Sequence, residues 1–418
     1  MARITRDSKA VAKSNSELPA WMSEGAALLD ALQAGGAVGE IGARCVIRRE
    51  GGYAGVDVVL FLLAYFATNI SGGLRQFYAN ARPRWRQLAA IAGRAGLPSP
   101  PAMSRALSCA DSEKLRSFER WLLTDVLGTG PLLTHPASQH RDAVGRPWQV
   151  FHFDPTVPAL RQRALPAREG LPEGERRAAA IGQAGKSGRK RGEVVFTRSV
   201  LQHAGTGLWF DMRVEPGHGD QRHQLDSALD AVVHVCGGIG HPVEFALTCA
   251  DGQWGGIPSI AAFRERNTRF VTRCSRYSLL ETPEVRRALR HAAWTLVPDS
   301  GSGPQRGCAD AGWVWLEPGD ETRRADGSDY QPERVRLVVT RYPRPEDARK
   351  SGRGRVIDGV AYELFITDLD EEGWPAADVC ATYFGRCGQE IGSRRRIASW
   401  GWIASTPTSP PVRNSPRW

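Results

Sequence analysis

Six side chains of this sequence could do chemistry at phosphorus if folding brings them together. In "YFGRCGQE", Tyr383, Arg386 and Glu390 follow one another at spacings of three and four, and Arg394 continues the series, so they share one face of a helix. That face offers an aromatic hydroxyl, a guanidinium, a carboxylate and a second guanidinium in a stretch with little that is apolar. Two further carboxylates, Asp154 in "FHFDPT" and Asp251 in "ALTCADGQWGG", each close an apolar run and open a loop. Carboxylates that converge from separate elements can hold two magnesium ions, one for the attacking oxygen and one for the leaving oxygen at phosphorus. Asp154, Asp251 and Glu390 are the expected ligands, and they must meet within about 10 Å because metals bridged in this way sit only ~4 Å apart.

The elements that would position these groups are legible in the pattern of apolar residues. Residues 1–130 read as helical: "WMSEGAALLDAL", "VVLFLLAYFA", "LRQFYANARPRWRQLAAIAG", "SPPAMSRALSCA" and "SEKLRSFERWLLTDVL" carry helix-spaced apolar positions. Their arginines (Arg75, Arg82, Arg84, Arg86 and Arg105) suit a DNA-binding region, with a structural helical domain carrying a solvated basic face as the alternative. From 147 the period changes. "WQVFHFDPT", "EVVFTRSVLQ" and "LWFDMRVEP" read as strands, "DQRHQLDSALDAVVHVC" as a helix and "PVEFALTCAD" as a buried strand, the order of a mixed sheet flanked by helices. The fold class is therefore α+β or α/β, with 147–275 as the first part of the core. Over 276–370, "WTLVP", "GWVWLEP", "RVRLVVTRYP" and "VAYELFITDL" read as an all-β insertion before a last helix in 371–397.

Charge narrows the partner. The formal net charge is +10, which favours an anionic partner, and only six of the 55 basic residues are lysine. A guanidinium grips phosphate in two places, although arginine-rich codon usage produces the same ratio. Eight cysteines stand without a Cys-x-x-Cys pair or a His at zinc spacing, which reads as reduced thiols in a cytoplasmic protein. The apolar run 58–67 is about half of what a bilayer span needs, so no membrane role is expected.

Taken in order, "FHFDPT", "ALTCADGQWGG" with "RFVTRC", and "YFGRCGQE" resemble the three catalytic segments of bacterial insertion-sequence DDE transposases, the cut-and-paste group with a Tyr-x-x-Arg-x-x-x-Glu signature. The resemblance covers roughly residues 20–395 and implies a ribonuclease H-like core with a helical N-terminal DNA-binding region. It implies that Asp154, Asp251 and Glu390 ligate two magnesium ions, with manganese as a substitute. Tyr383 and Arg386 would hold phosphates of the DNA end, with Arg394 beside them. "GRKRG", with Arg189, Lys190 and Arg191, would also meet DNA. The implied partners are double-stranded DNA, both terminal inverted repeats and target, and a second copy of the chain when active, in a bacterial cytoplasm at the nucleoid. A binding-only remnant that recognises element ends without completing transposition is the other reading.

The sequence departs from the family at two places. A basic residue seven positions after the glutamate would be Ile397 here, and Arg394 is the substitute; Gly252 stands where Ser usually follows the second Asp. The tail 398–418, "WGWIASTPTSPPVRNSPRW" included, has neither helical nor strand periodicity. Read one base earlier, Trp400 to Ile403 gives a "LGLD"-like sequence, so a frameshifted C-terminal region is expected. "GQAGKSG" lacks the first glycine of a phosphate loop and reads as a basic mobile loop near DNA. His218 and His223 lack a third ligand and read as surface groups. Trp313 and Trp315 read as strand core, with stacking on a flipped base as their other use.

Overall fold

The computed structural model describes residues 20–44, 53–67, 73–82, 98–108, 112–127, 131–157, 183–187, 190–216, 221–298, 305–319, 323–324, 326–343 and 354–386. Glu390, Arg394, Ile397, Arg189, Arg84, Arg86, His218 and the tail 398–418 lie outside them. The chain divides into two compact units between Glu119 and Arg120.

The first unit is helical, as its sequence pattern predicts: α1 (Ala20–Ala34), α2 (Ala37–Arg44), α3 (Gly55–Ala67), α4 (Gly73–Ala81), α5 (Pro100–Ser108) and α6 (Ser112–Arg120). The apolar run forms α3. Asp57 in its first turn accepts the Ala54 N–H at 2.7 Å, which satisfies one of the donors that a helix start leaves open. Val58, Leu60, Phe61 and Tyr65 are buried, and the Phe61 and Tyr65 rings meet Phe77 of α4 edge to face at 5.4 and 5.3 Å. Arg82 and Arg105 are exposed. Among the described residues, no helix is long and apolar enough to cross a membrane.

The second unit is built on one mixed sheet. Its strands are β1 (His140–Arg141), β2 (Pro147–Thr156), β3 (Gln183–Ser187), β4 (Lys190–His203), β5 (Trp209–Pro216), β6 (Ala246–Ala250), β7 (Arg269–Cys274), β8 (Thr295–Val297), β9 (Arg306–Leu316), β10 (Glu333–Pro343), β11 (Arg355–Ile357) and β12 (Val360–Thr367). The path runs β3-β4-β2-β6-β7-β12-β10-β9-β8, and β5 pairs with β4. At its centre β2 lies antiparallel to β4 but parallel to β6, and β6 lies parallel to β7. Helices α7 (Gln221–Gly238), α8 (Ile257–Glu265) and α9 (Pro283–His291) precede a last described helix, α10, over 376–386.

The central strands are apolar on both faces because both are covered. Phe151, Phe153, Ala246, Ala250 and Phe270 belong to one core with Leu225, Leu229 and Val232 of α7 and Ile260 and Phe263 of α8. Trp148, Val150, Leu247, Cys249, Val271 and Phe365 belong to a second core with Val379, Cys380, Tyr383 and Phe384 of α10. The odd-even split along each strand places α10 opposite α7 and α8.

Three expectations change here. The four strands expected as an insertion form as β8, β9, β10 and β12, but β12 pairs antiparallel with β7, so they extend the same sheet. Gln183–Ser187, expected as a mobile loop, is strand β3, paired with β4 from Gln183↔Val195 to Ser187↔Lys190; pairing overrides its Gly-Lys-Ser composition. Trp313 and Trp315, expected in the core, are 39% and 61% exposed at the end of β9. Arg334 lies over the Trp313 ring, 5.4 Å from its centroid. His223 reaches Glu215 at 3.5 Å from a largely exposed position on α7.

Candidate active site

Asp154 and Asp251 are brought together by strand register. Phe153 pairs with Ala250 across the parallel strands β2 and β6; Asp154 is the next residue of β2, and Asp251 is the residue that follows β6. Both therefore stand at the carboxyl ends of neighbouring parallel strands, where open α/β sheets place their sites. Asp251 also caps the short turn Gly252–Trp254, accepting the Gly252 N–H at 2.7 Å, and Thr272 Oγ1 of β7 donates to the Asp251 carbonyl at 2.7 Å. The turn requires small residues: a Cβ on Gly255 would lie 2.2 Å from the Arg273 carbonyl oxygen.

Arg386, on α10, joins the two acids. Its Nη1 is 3.2 Å from Asp154 Oδ1 and its Nη2 is 3.7 Å from Asp251 Oδ1. The guanidinium side chain is 3% exposed, whereas those of Asp154 and Asp251 are 28% and 49% exposed. The cation thus lies beneath two carboxylates that face solvent.

The polar helix face read from "YFGRCGQE" is not a solvent face at its first two positions. Tyr383 is fully buried in the second core, its ring 4.9 Å from that of Phe365, and both Arg386 and Arg273 lie over it at 5.3 and 5.4 Å. The reason is packing from below and charge from above: Phe365 and Phe384 surround the ring, and Asp154 with Asp251 allows the guanidinium to be buried. Of the other expected DNA contacts, Lys190 and Arg191 open β4 opposite Ser187 and Lys186. Arg189, Arg394 and Glu390 lie outside the described residues.

Two cations at this site were not singled out from the sequence. Arg198 on β4 is buried, its Nη2 donates to Thr156 Oγ1 at 3.2 Å, and burial lowers its pKa while nearby Asp154 opposes that shift. Arg273 on β7 pairs with Glu363 at 3.1 Å, and Glu363 also pairs with Arg306. The signal in the sequence was weak: both arginines sit inside strand patterns, where a long polar side chain at a core-facing register has to find a partner. Burial pushes the neighbouring Cys249 thiol up to about 12, with Arg386 acting against it, so this cysteine is not a nucleophile at neutral pH.

Asp154 and Asp251 could hold a divalent cation. Both donors are carboxylate oxygens, the hard ligands that magnesium and manganese take, and both already face one cationic group, so the donor set fits. Among the described residues, no group of three or more His, Cys, Asp and Glu side chains gathers as a metal site. No protein-family model matches the chain, and no curated protein matches it. Among solved structures, the chain is similar to a piggyBac transposase in a synaptic complex with hairpin DNA, at 11% identity over 88% of this chain and 70% of that one, with a TM-score of 0.34.

Proposed function

We propose that this chain is a DNA transposase of the bacterial insertion-sequence DDE group, cleaving DNA at element ends and joining the ends to target DNA. The observation that carries the reading is the meeting of Asp154 and Asp251 on Arg386, because it links all three sequence segments of the resemblance at one end of the sheet. A mixed sheet with three antiparallel neighbours (β5, β4, β2), two parallel ones (β6, β7) and helices on both faces supports a ribonuclease H-like core.

In this reading Asp154, Asp251 and Glu390 hold two magnesium ions, or manganese in their place. When bound, the ions supply the charge that activates the attacking oxygen and stabilises the leaving one. The chain's own residues hold the site open and charged. The carboxylates face solvent where a phosphodiester can approach, and Thr272 and the Gly252 N–H fix Asp251. Arg386 and Arg198 supply positive charge beneath the phosphate. Arg394, Arg189, Lys190 and Arg191 extend that charge along duplex DNA, and two copies of the chain act together.

The test uses the purified full chain and a supercoiled plasmid carrying the DNA that flanks its gene. With magnesium or manganese the wild type should nick or cut at the element ends and leave 3′-hydroxyls. Asp154→Asn should lose at least ~10³-fold in cleavage rate, several kcal/mol of charge stabilisation, and still shift the same DNA in a gel. Cleavage that survives Asp154→Asn would overturn the proposal. Binding without cleavage by the wild type would leave a DNA-binding remnant instead.

A further inference from the structure

The two carboxylates do not wait for a metal with their charges uncompensated. The Arg386 guanidinium reaches both of them, 3.2 Å from Asp154 and 3.7 Å from Asp251, and it is almost entirely removed from water while they are not. One cation thus already draws on the charge of both acids that would hold another. The guanidinium is also held from below. It lies over the Tyr383 ring at 5.3 Å, and Tyr383 and Phe384 anchor that part of α10 in the second core. Moving it out therefore requires either a new rotamer past the Tyr383 ring or a displacement of the end of α10.

We infer that Arg386 is an autoinhibitory counter-ion, a built-in cation that competes with the divalent metal for Asp154 and Asp251 and keeps the resting site from loading. This rests on the reading of Asp154 and Asp251 as metal ligands. A metal held by Asp154 and Asp251 would compete with the guanidinium for their charge, and the buried Arg386 would then need another anion. A DNA phosphate accepts a guanidinium in two places, so the same arginine would favour loading when nucleic acid is present. Without DNA, the contact weakens metal binding.

The measurement is the affinity of the full chain for Mn²⁺ alone, followed through the free-ion paramagnetic resonance signal, without DNA. Arg386→Met removes the charge but keeps a long apolar stem beside Tyr383, and should bind Mn²⁺ at least about tenfold more tightly than the wild type. Arg386→Lys keeps the charge but not the planar fork that spans both acids, and should gain about threefold. Asp251→Asn in either background should remove the gain, which locates it at these acids. Should Arg386→Met fail to fold, Arg386→Lys decides. A purely structural arginine would give equal or weaker binding in the variants, and that result overturns the inference while leaving the acids as ligands. Absence of Mn²⁺ binding in all proteins, wild type included, would overturn the proposed function as well.

Discussion

Asp154 and Asp251 share a cation unequally. Asp154 is both nearer to Arg386 and less exposed, so it supplies more of the compensation for the buried guanidinium. Removing one partner of a fully buried pair costs about 3–5 kcal/mol, whereas a hydrated partner contributes about 0–1 kcal/mol. Asp154→Asn is therefore expected to lower the unfolding free energy by roughly 1–3 kcal/mol, and Asp251→Asn by less than half as much. Urea denaturation at neutral pH measures both, and equal losses would contradict the asymmetry. Gly252, where the resembled family carries Ser, has a local cause: a Cβ there would come within 3.2 Å of Arg273 Cβ. Arg273 is fixed in turn by Glu363, so this turn favours the smallest residue.

The element that delivers Arg386 is α10, and its approach is set by another buried arginine. Arg336 of β10 donates from Nη1 to the carbonyls of Asp370 and Trp374 at 3.2 and 2.7 Å, and its Nε donates to Asp310 at 2.6 Å. A bulge between β9 and β10 at this point, with Gly312 at φ 83°, aims Asp310 at Arg336. Arg336→Met would take this donor from the buried Trp374 carbonyl, the Asp370 carbonyl and the partly exposed Asp310 carboxylate, so a destabilisation of about 1–3 kcal/mol is expected. Amide exchange over 376–386 should accelerate with it; unchanged exchange there would show that α10 is held without this arginine. None of this was legible in the sequence, because it depends on which strand faces which loop. The strands β2 and β6 were legible, since a short, mostly apolar run with apolar residues on both alternating faces and an acid at its end marks a strand covered on both sides. The helical conformation from Tyr383 to Arg386 was legible, but the burial of those two residues was not. Composition marks a face as polar, and only the fold supplies the two anions that let a guanidinium leave water. β3 was hidden for a related reason: its glycine and lysine carry no strand propensity, and its partner β4 imposes the conformation.

For the molecule as a whole, the pairing of β2 with β4 beside the site sets an acid limit. His203, at the end of β4 opposite Phe151, is buried and accepts the Thr206 N–H on Nδ1 at 3.2 Å. Burial first, and His152 second, lower its pKa from 6.5 to about 4. The unfolded chain therefore binds a proton below pH 6.5 that the folded chain does not take up until about pH 4, and stability falls as pH drops through that window. The loss attributable to this group is about 3 kcal/mol by pH 4. His203→Gln should flatten the decline in a denaturation series from pH 7 to 4, and an unchanged slope would assign the decline to other groups. The position of α10 on the sheet also has a consequence in time. Asp154 and Asp251 are synthesised first, and more than a hundred residues separate Asp251 from Arg386. At ~5–20 residues per second the ribosome needs on the order of ten seconds to cover that stretch. During that interval the emerging β2 and β6 can pair, and Asp154 already has Arg198 nearby, but neither acid yet has the Arg386 guanidinium. The counter-ion that the two acids share therefore arrives last, with α10.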